Sequence, residues 1–224
     1  MFMGFQFEPT ASSNSLIEAI ENEAKKRKEG KKRPFRDSWE KWLAKTFGFA
    51  INDSFDEILL ANARQVFEEF QELTAARFGR EKTRSLFFSL CENIPLTTRK
   101  KILSAVAPHQ LALILSEFAL DDFKKDFQAM ASAYNGKSGD ISVEARESCI
   151  SLFPTTGAGP DAIRKNVVAS LEEFAAGISS RVGKSNAAKL YMRLVQCIPK
   201  SERLKIFLIM TPQEFGEMLY HFLF

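Results

Sequence analysis

The feature that most constrains the fold of this chain is an internal repeat. Residues 67–120 align with residues 171–224 without a gap, at a constant offset of 104. Fifteen of the 54 aligned positions are identical, including Gly79 and Gly183, two Ile-Pro pairs and a further pair of prolines. Because glycine and proline commonly mark the ends of secondary structure, the two segments are predicted to share one structural plan.

The same offset continues weakly upstream, where Ser38 matches Ser142 and Phe49 matches Phe153. Each copy of the repeat is therefore predicted to span about 87 residues. The residues between the copies have helical spacing, and those before the first copy lead into a basic stretch. The predicted segments are 1–33 (N-terminal helix and basic arm), 34–120 (module 1), 121–137 (connecting helix or linker) and 138–224 (module 2).

Helix is the secondary structure that the pattern favours in both modules. In module 2, apolar residues recur at intervals of three and four, which is typical of one face of an amphipathic helix: Ile163, Val167, Leu171, Phe174, Ile178 and Val182. Module 1 repeats this stripe with Phe55, Leu59, Val66, Phe70 and Leu73. Ala, Leu, Glu and Lys are abundant, whereas Val and Thr are sparse. The sequence therefore predicts an all-α fold with two tandem homologous bundles of about five helices each. Packing about a pseudo-twofold axis and simple tandem arrangement both remain open.

A basic arm over residues 25–36 is the strongest local feature of the charge distribution. It carries eight basic residues and one acid, although the net charge of the whole chain is only +3. Phosphate contact with DNA or RNA, a nuclear localisation signal in a eukaryotic cell, and a solvated arm are all compatible with such a run. Phe35, Trp39 and Trp42 follow, and they would either stack on unpaired bases or enter the core. The basic residues are Lys25, Lys26, Arg27, Lys28, Lys31, Lys32, Arg33 and Arg36.

A second basic set recurs in both modules and has two interpretations. Cations near a helix C-terminus are stabilised by the helix dipole, and those in the fourth helix would pair with nearby glutamates, so a structural role suffices. Alternatively, the set forms a nucleic-acid-binding surface that is used twice. Its members are Arg77 and Arg181, Arg80 and Lys184, Arg99 and Arg203, and Lys101 and Lys205.

Residues with catalytic or metal-binding potential are few and show no convergent spacing. Cys91, Cys149 and Cys197 form no CxxC pair, and His109 and His221 occupy different positions of the repeat. A metal site or a nucleophile–base pair needs several ligands or partners brought together. The sequence therefore predicts no catalytic residue, no metal and no cofactor, and the protein is not expected to be an enzyme.

These observations together favour a non-enzymatic helical regulator or adaptor that acts by binding another protein. The alternative is a DNA- or RNA-binding regulator that uses the basic arm and the paired cations. The apolar C-terminal run 215–224 is expected to pack on its own module, and exposure of part of it would allow a partner helix or a homodimer. The longest apolar runs are too short to span a membrane. A cytoplasmic location is expected, or a nuclear one in a eukaryotic cell.

Overall fold

The computed structural model describes residues 38–49, 54–136, 139–154 and 159–224. Within these ranges every regular element is an α-helix, which confirms the predicted all-α class. Residues 43–224 belong to one compact unit. No helix among the described residues combines the length and the apolar character needed to cross a bilayer.

Eleven helices follow one another along the described residues. Five precede residue 121, one lies in the connecting segment, and five follow it. They are α1 (Ser38–Phe47), α2 (Ser54–Phe78), α3 (Arg80–Glu92), α4 (Leu96–Ala105), α5 (Pro108–Leu120), α6 (Phe123–Ala133), α7 (Val143–Ser151), α8 (Pro160–Val182), α9 (Lys184–Gln196), α10 (Lys200–Leu208) and α11 (Pro212–Leu223).

Local backbone chemistry accounts for where the helices begin and end. Gly79 separates α2 from α3 and Gly183 separates α8 from α9, with φ angles of 77° and 81° that a side chain would disfavour. Pro108 and Pro212 are the first residues of α5 and α11, where a missing N–H costs nothing. Ser142 caps α7, since its hydroxyl accepts a 3.2 Å hydrogen bond from the amide of Ala145.

We call the described residues between 43 and 120 the first half and those between 139 and 224 the second half. The long helix α2 carries the core of the first half, and α8 carries that of the second. α2 packs against α3, α4 and α5, and α8 packs against α7, α9 and α11. The predicted stripe of α8 is buried from Val167 to Val182, with Leu171 and Phe174 fully shielded from solvent, whereas Ile163 is half-buried. The corresponding stripe of α2 departs from its pattern at Leu73, which is 41% exposed. Thr74 occupies the core position instead, because its hydroxyl donates to the carbonyl of Phe70 at 2.6 Å and needs no further partner.

The interface between the two halves includes residues that are 104 positions apart in the chain. Phe118 and Phe222 stack with ring centroids 4.2 Å apart and an interplanar angle of 9°. α4 and α10 also contact each other across this interface. The interface encloses an apolar crevice of about 20 Å³, and its lining includes Ile94 with Ile198 and Ile102 with Ile206. Residues that align in the sequence repeat therefore meet at this interface.

The connecting helix α6 packs on the second half. Phe123 and Phe127 are buried, and α6 contacts α8, α9 and α11. Arg193 of α9 pairs with Asp121 and Asp126, and its guanidinium lies 5.1 Å from the centroid of the Phe123 ring. The segment between the halves is thus held by both apolar packing and charge.

Candidate functional site

The basic arm over residues 25–36 lies outside the described residues, as do Phe35 and the side chain of Trp39. Trp42 is described and is 57% exposed. The hypothesis that this region contacts phosphates or stacks on bases therefore stays a prediction.

Arg99 is the most extensively bonded of the paired cations in the first half. Its Nε donates to the carbonyl of Ile94 at 2.7 Å, its Nη2 donates to that of Glu92 at 3.0 Å, and its Nη1 donates to that of Thr46. Partial burial lowers the pKa of this guanidinium from its ordinary value. The side chain joins the end of α3 and the end of α1 to α4.

Arg203 repeats this arrangement in the second half. Its Nε donates to the carbonyl of Ile198 at 2.6 Å, its Nη2 to that of Gln196 at 3.3 Å and its Nη1 to that of Leu152 at 3.1 Å. Partial burial again lowers the guanidinium pKa. Because the donors of both arginines are directed at backbone carbonyls, this geometry fits a structural role.

Arg77 and Arg181, at the ends of α2 and α8, each reach the end of the last helix in their own half. Arg77 donates to the carbonyl of Leu120 at 2.5 Å and lies 3.6 Å from the carboxylate of Asp122. Arg181 lies over two rings, 4.6 Å from the centroid of Phe127 and 5.5 Å from that of Phe224. Both contacts hold the end of a long helix against its neighbours.

The other paired cations lie on exposed surfaces or beside carboxylates. Lys184 pairs with Asp140 at 2.5 Å, and Lys205 pairs with Glu202 at 3.2 Å. Arg80 and Lys101 are exposed at the beginning of α3 and within α4. The structure places the predicted basic set on several helices of both halves. Several of these cations already donate to backbone carbonyls or pair with carboxylates.

The C-terminal helix α11 packs on its own half, as predicted from the sequence. Phe215, Leu219 and Leu223 of α11 are essentially fully buried, whereas Phe224 is 43% exposed. The apolar character of this run is therefore largely explained by core packing against α8.

A surface groove lies between α7 and α8 and has a volume of about 520 Å³. Sequence reasoning did not single it out. Its apolar residues range from Ile150, which is buried, to Val143, which is 69% exposed. The lining residues are Val143, Arg146, Glu147, Ile150, Arg164, Lys165, Val168, Ala169 and Glu172.

Charged residues surround the apolar part of this groove. Arg164 pairs with Glu147 at 2.5 Å, whereas Arg146 and Glu172 approach only to 3.6 Å, which is longer than a hydrogen bond. The Nε of Arg146 is buried and has no hydrogen-bond acceptor. With Lys165, the lining contains three cations and two carboxylates, so its net charge is +1.

The thiols lie in surroundings that keep them protonated. Burial raises the pKa of Cys91 well above its usual range, and it raises the pKa of Cys149 to about 12. Burial, helped by the carboxylates of Asp121 and Glu117, raises the pKa of Cys197 to about 12. A thiol needs to be ionised to act as a nucleophile or a metal ligand, and these three are not poised for either role at neutral pH.

The remaining polar candidates have local partners. The hydroxyls of Ser170 and Tyr191 form a buried pair at 2.6 Å, and burial raises the pKa of Tyr191 above its usual range. His109 lies 2.8 Å from a carboxylate oxygen of Glu69 on an exposed surface. No group of three or more potential metal-ligating side chains occurs within the described ranges.

Comparison with known proteins found no family model, no curated protein and no solved structure that matches this chain.

Proposed function

We propose that this protein is a duplicated helical module that acts as a non-enzymatic adaptor or regulator, and that it binds another protein through the groove between α7 and α8. The groove is the observation that carries the proposal. It combines exposed apolar surface with a charged rim, and this composition is typical of sites that recognise a protein segment.

The duplication is supported by the positions of the helices and by the contacts of the paired arginines. α3, α4 and α5 begin 104 residues before α9, α10 and α11. Arg99 and Arg203 bond to equivalent carbonyls at the end of the preceding helix, at positions 92 and 94 in one half and 196 and 198 in the other. A partly buried guanidinium with the same local partners in both halves is a specific detail, and common descent of the halves accounts for it.

A binding function is supported by the shape and composition of the groove. Val143 and Ala169 leave apolar surface accessible on two different helices, and Ile150 and Val168 also line the groove. A groove with an apolar lining between two helices is a suitable receptor for a third helix. The thiols favour a binding role over nucleophilic catalysis, because burial raises their pKa values.

A site-specific photo-crosslinker tests this function in the full-length chain, expressed in the cell from which it comes. Ala169 lies in the groove, and Ala176 is an exposed alanine two turns further along the same helix. We expect a protein adduct from position 169 that is weak or missing from position 176. Val168→Glu should abolish the adduct, because it places a charge on the apolar floor.

The nucleic-acid alternative is tested in the same chain by measuring DNA and RNA binding at low and high salt, with and without residues 1–36. Counterion release makes a phosphate-dominated interaction weaken steeply as salt increases. Strong binding that is lost with residues 1–36, together with no protein adduct at position 169, would replace the adaptor proposal with this one.

A further inference from the structure

We infer that the occupant of the α7–α8 groove is an amphipathic helix with carboxylates beside its apolar face, and that each chain binds one such helix. This inference rests on the proposed function and specifies the chemistry of the partner. It depends on the charge of the groove, on the loosely paired Arg146, whose Nε has no acceptor, and on the difference between the two halves.

Arg146 is the residue that points to a carboxylate. Its guanidinium is 3.6 Å from the nearest carboxylate oxygen of Glu172, and its Nε has no acceptor. A buried donor without an acceptor is costly, and a carboxylate that forms a bidentate pair with arginine is the strongest compensation that a partner can offer. An incoming glutamate or aspartate would allow Arg146 to turn towards it without losing an ideal bond.

Lys165 adds to the preference for an acidic partner. It is exposed on α8 and lines the same groove, one turn before Ala169. Arg164 pairs with Glu147 at 2.5 Å and Arg146 lies 3.6 Å from Glu172, so Lys165 carries the positive charge that the two carboxylates of the lining do not balance. Complementary charge at the rim steers binding and selects one partner over another.

A helix is the form of partner that the apolar lining fits. Val143 and Ile150 are two turns apart on α7, and Lys165 and Ala169 are one turn apart on α8. This lining therefore follows helical spacing on both walls. An amphipathic helix presents apolar side chains at the same intervals, and it brings no unpaired backbone groups into the groove.

The repeat does not reproduce the charged lining of this groove in the first half. Positions 60, 61 and 64 correspond to 164, 165 and 168, and they hold Leu60, Ala61 and Arg64. Leu60 and Ala61 thus stand where the second half has Arg164 and Lys165. Arg64 stands where the second half has the apolar Val168. Although the scaffold is repeated, one binding site per chain is expected.

Designed peptides test the inference against the full-length chain. One fluorescent helical peptide of about 18 residues carries leucine and alanine on one face and glutamate along both edges. Its twin has lysine in place of every glutamate. We expect the glutamate peptide to bind about tenfold more tightly than its twin in fluorescence anisotropy, because opposite charges stabilise the complex. Calorimetry should give one peptide per chain.

Two variants assign the preference to the groove. Lys165→Glu should weaken binding of the glutamate peptide about tenfold, and Arg146→Gln should also weaken it. Lys189→Glu is the matched control, because Lys189 is an exposed lysine on α9 outside the groove. It should leave the affinity unchanged.

Equal binding of the two peptides, no binding of either, an unchanged affinity in Lys165→Glu, or two peptides per chain would each overturn the inference. The proposed function would survive any of these results if the crosslinker at Ala169 still captured a protein. Failure of the crosslinker would instead remove the groove itself as the binding site.

Discussion

Phe118 and Phe222, which are 104 residues apart in the chain, lie face to face with ring centroids separated by 4.2 Å. Each ring occupies the same position of the repeat, and each is buried at the junction of the two halves. Both rings belong to the compact unit of residues 43–224, and their contact joins two segments that are distant in the sequence.

Removal of either ring should destabilise the whole unit. We expect Phe118→Ala or Phe222→Ala to lower the free energy of unfolding by about 3–5 kcal/mol, because each leaves a cavity at a buried interface. The double variant should cost less than the sum of the two by about 1 kcal/mol, which is the usual size of an aromatic pair interaction. Denaturant unfolding monitored by circular dichroism measures these values. Leu73→Ala, at a 41% exposed position, serves as the control and should have a small effect.

Substitution of Arg99 or Arg203 by lysine distinguishes a structural role of these two arginines from a purely electrostatic one. Lysine keeps the charge but cannot reproduce the fork of donors that reaches three carbonyls. Arg99→Lys and Arg203→Lys should each lower the free energy of unfolding by about 1–3 kcal/mol. Arg80→Lys, at an exposed position, is the control and should change it by less than about 0.5 kcal/mol. Equal stability of all three variants would contradict the structural interpretation.

The ion pair between Asp56 and Lys100 joins α2 to α4, with both carboxylate oxygens 2.9 Å from Nζ. Asp56 is 3% exposed, whereas the lysine side chain is 37% exposed. Lys100→Met should therefore cost about 3 kcal/mol, because it removes a cation that bonds to both oxygens of a buried carboxylate.

Asp56→Ala combined with Lys100→Met should recover part of that loss, since no uncompensated charge then remains. Thermal unfolding of the two single variants and the double variant tests this order. A double variant that is less stable than Lys100→Met alone would contradict it.

Gly216 allows α11 to approach α8 closely. A Cβ atom at this position would lie 2.6 Å from the carbonyl oxygen of Ser170 and 3.0 Å from the Cβ of Glu173. Because a backbone carbonyl cannot move aside cheaply, Gly216→Ala should cost about 1–3 kcal/mol. Gly139→Ala is the matched control, since a Cβ there meets no atom within 4 Å. If Gly216→Ala lowered the free energy of unfolding less than Gly139→Ala, the close approach of α11 to α8 would be contradicted.

The thiols should respond to alkaline pH in a defined direction. The folded-state pKa values of Cys149 and Cys197 are about 12, against an ordinary value of 9.0. The folded state therefore holds its thiol protons more tightly, and the free energy of unfolding should decrease as pH rises above 9 towards 12.

Alkylation with iodoacetamide at pH 8 provides a second measurement of the same property. All three cysteines should react slowly in the native chain and quickly in denaturant. Replacement of the three by alanine should reduce the loss of stability at alkaline pH. Rapid native alkylation of Cys149 would contradict the buried position of this thiol.

Much of the fold was predictable because it depends on local chemistry. Gly79 and Gly183 end long helices since a left-handed backbone favours glycine, and Pro108 and Pro212 begin helices since their missing donors are not needed there. Leu73 was assigned to the core by its spacing, but Thr74 fills that place by bonding to its own helix. Periodicity gives the face of a helix only to within about one residue.

The roles of the paired cations were harder to predict, because a sequence does not show what a long side chain reaches. Arg99 bonds to carbonyls that include one 53 residues away, and no local pattern indicates that distance. The groove was missed for a similar reason, since Val143 and Ala169 belong to different helices and become neighbours in one lining only when α7 packs on α8.

The sequence by itself determined the helical class, the boundaries at Gly79 and Gly183 and the offset at which the pattern recurs. These follow from short-range backbone preferences and from the spacing of apolar residues. Only the tertiary structure decided that Phe118 lies against Phe222 and that α7 and α8 leave a groove between them. Such contacts depend on how the surfaces of whole helices fit together, and that fit is a property of many distant residues at once.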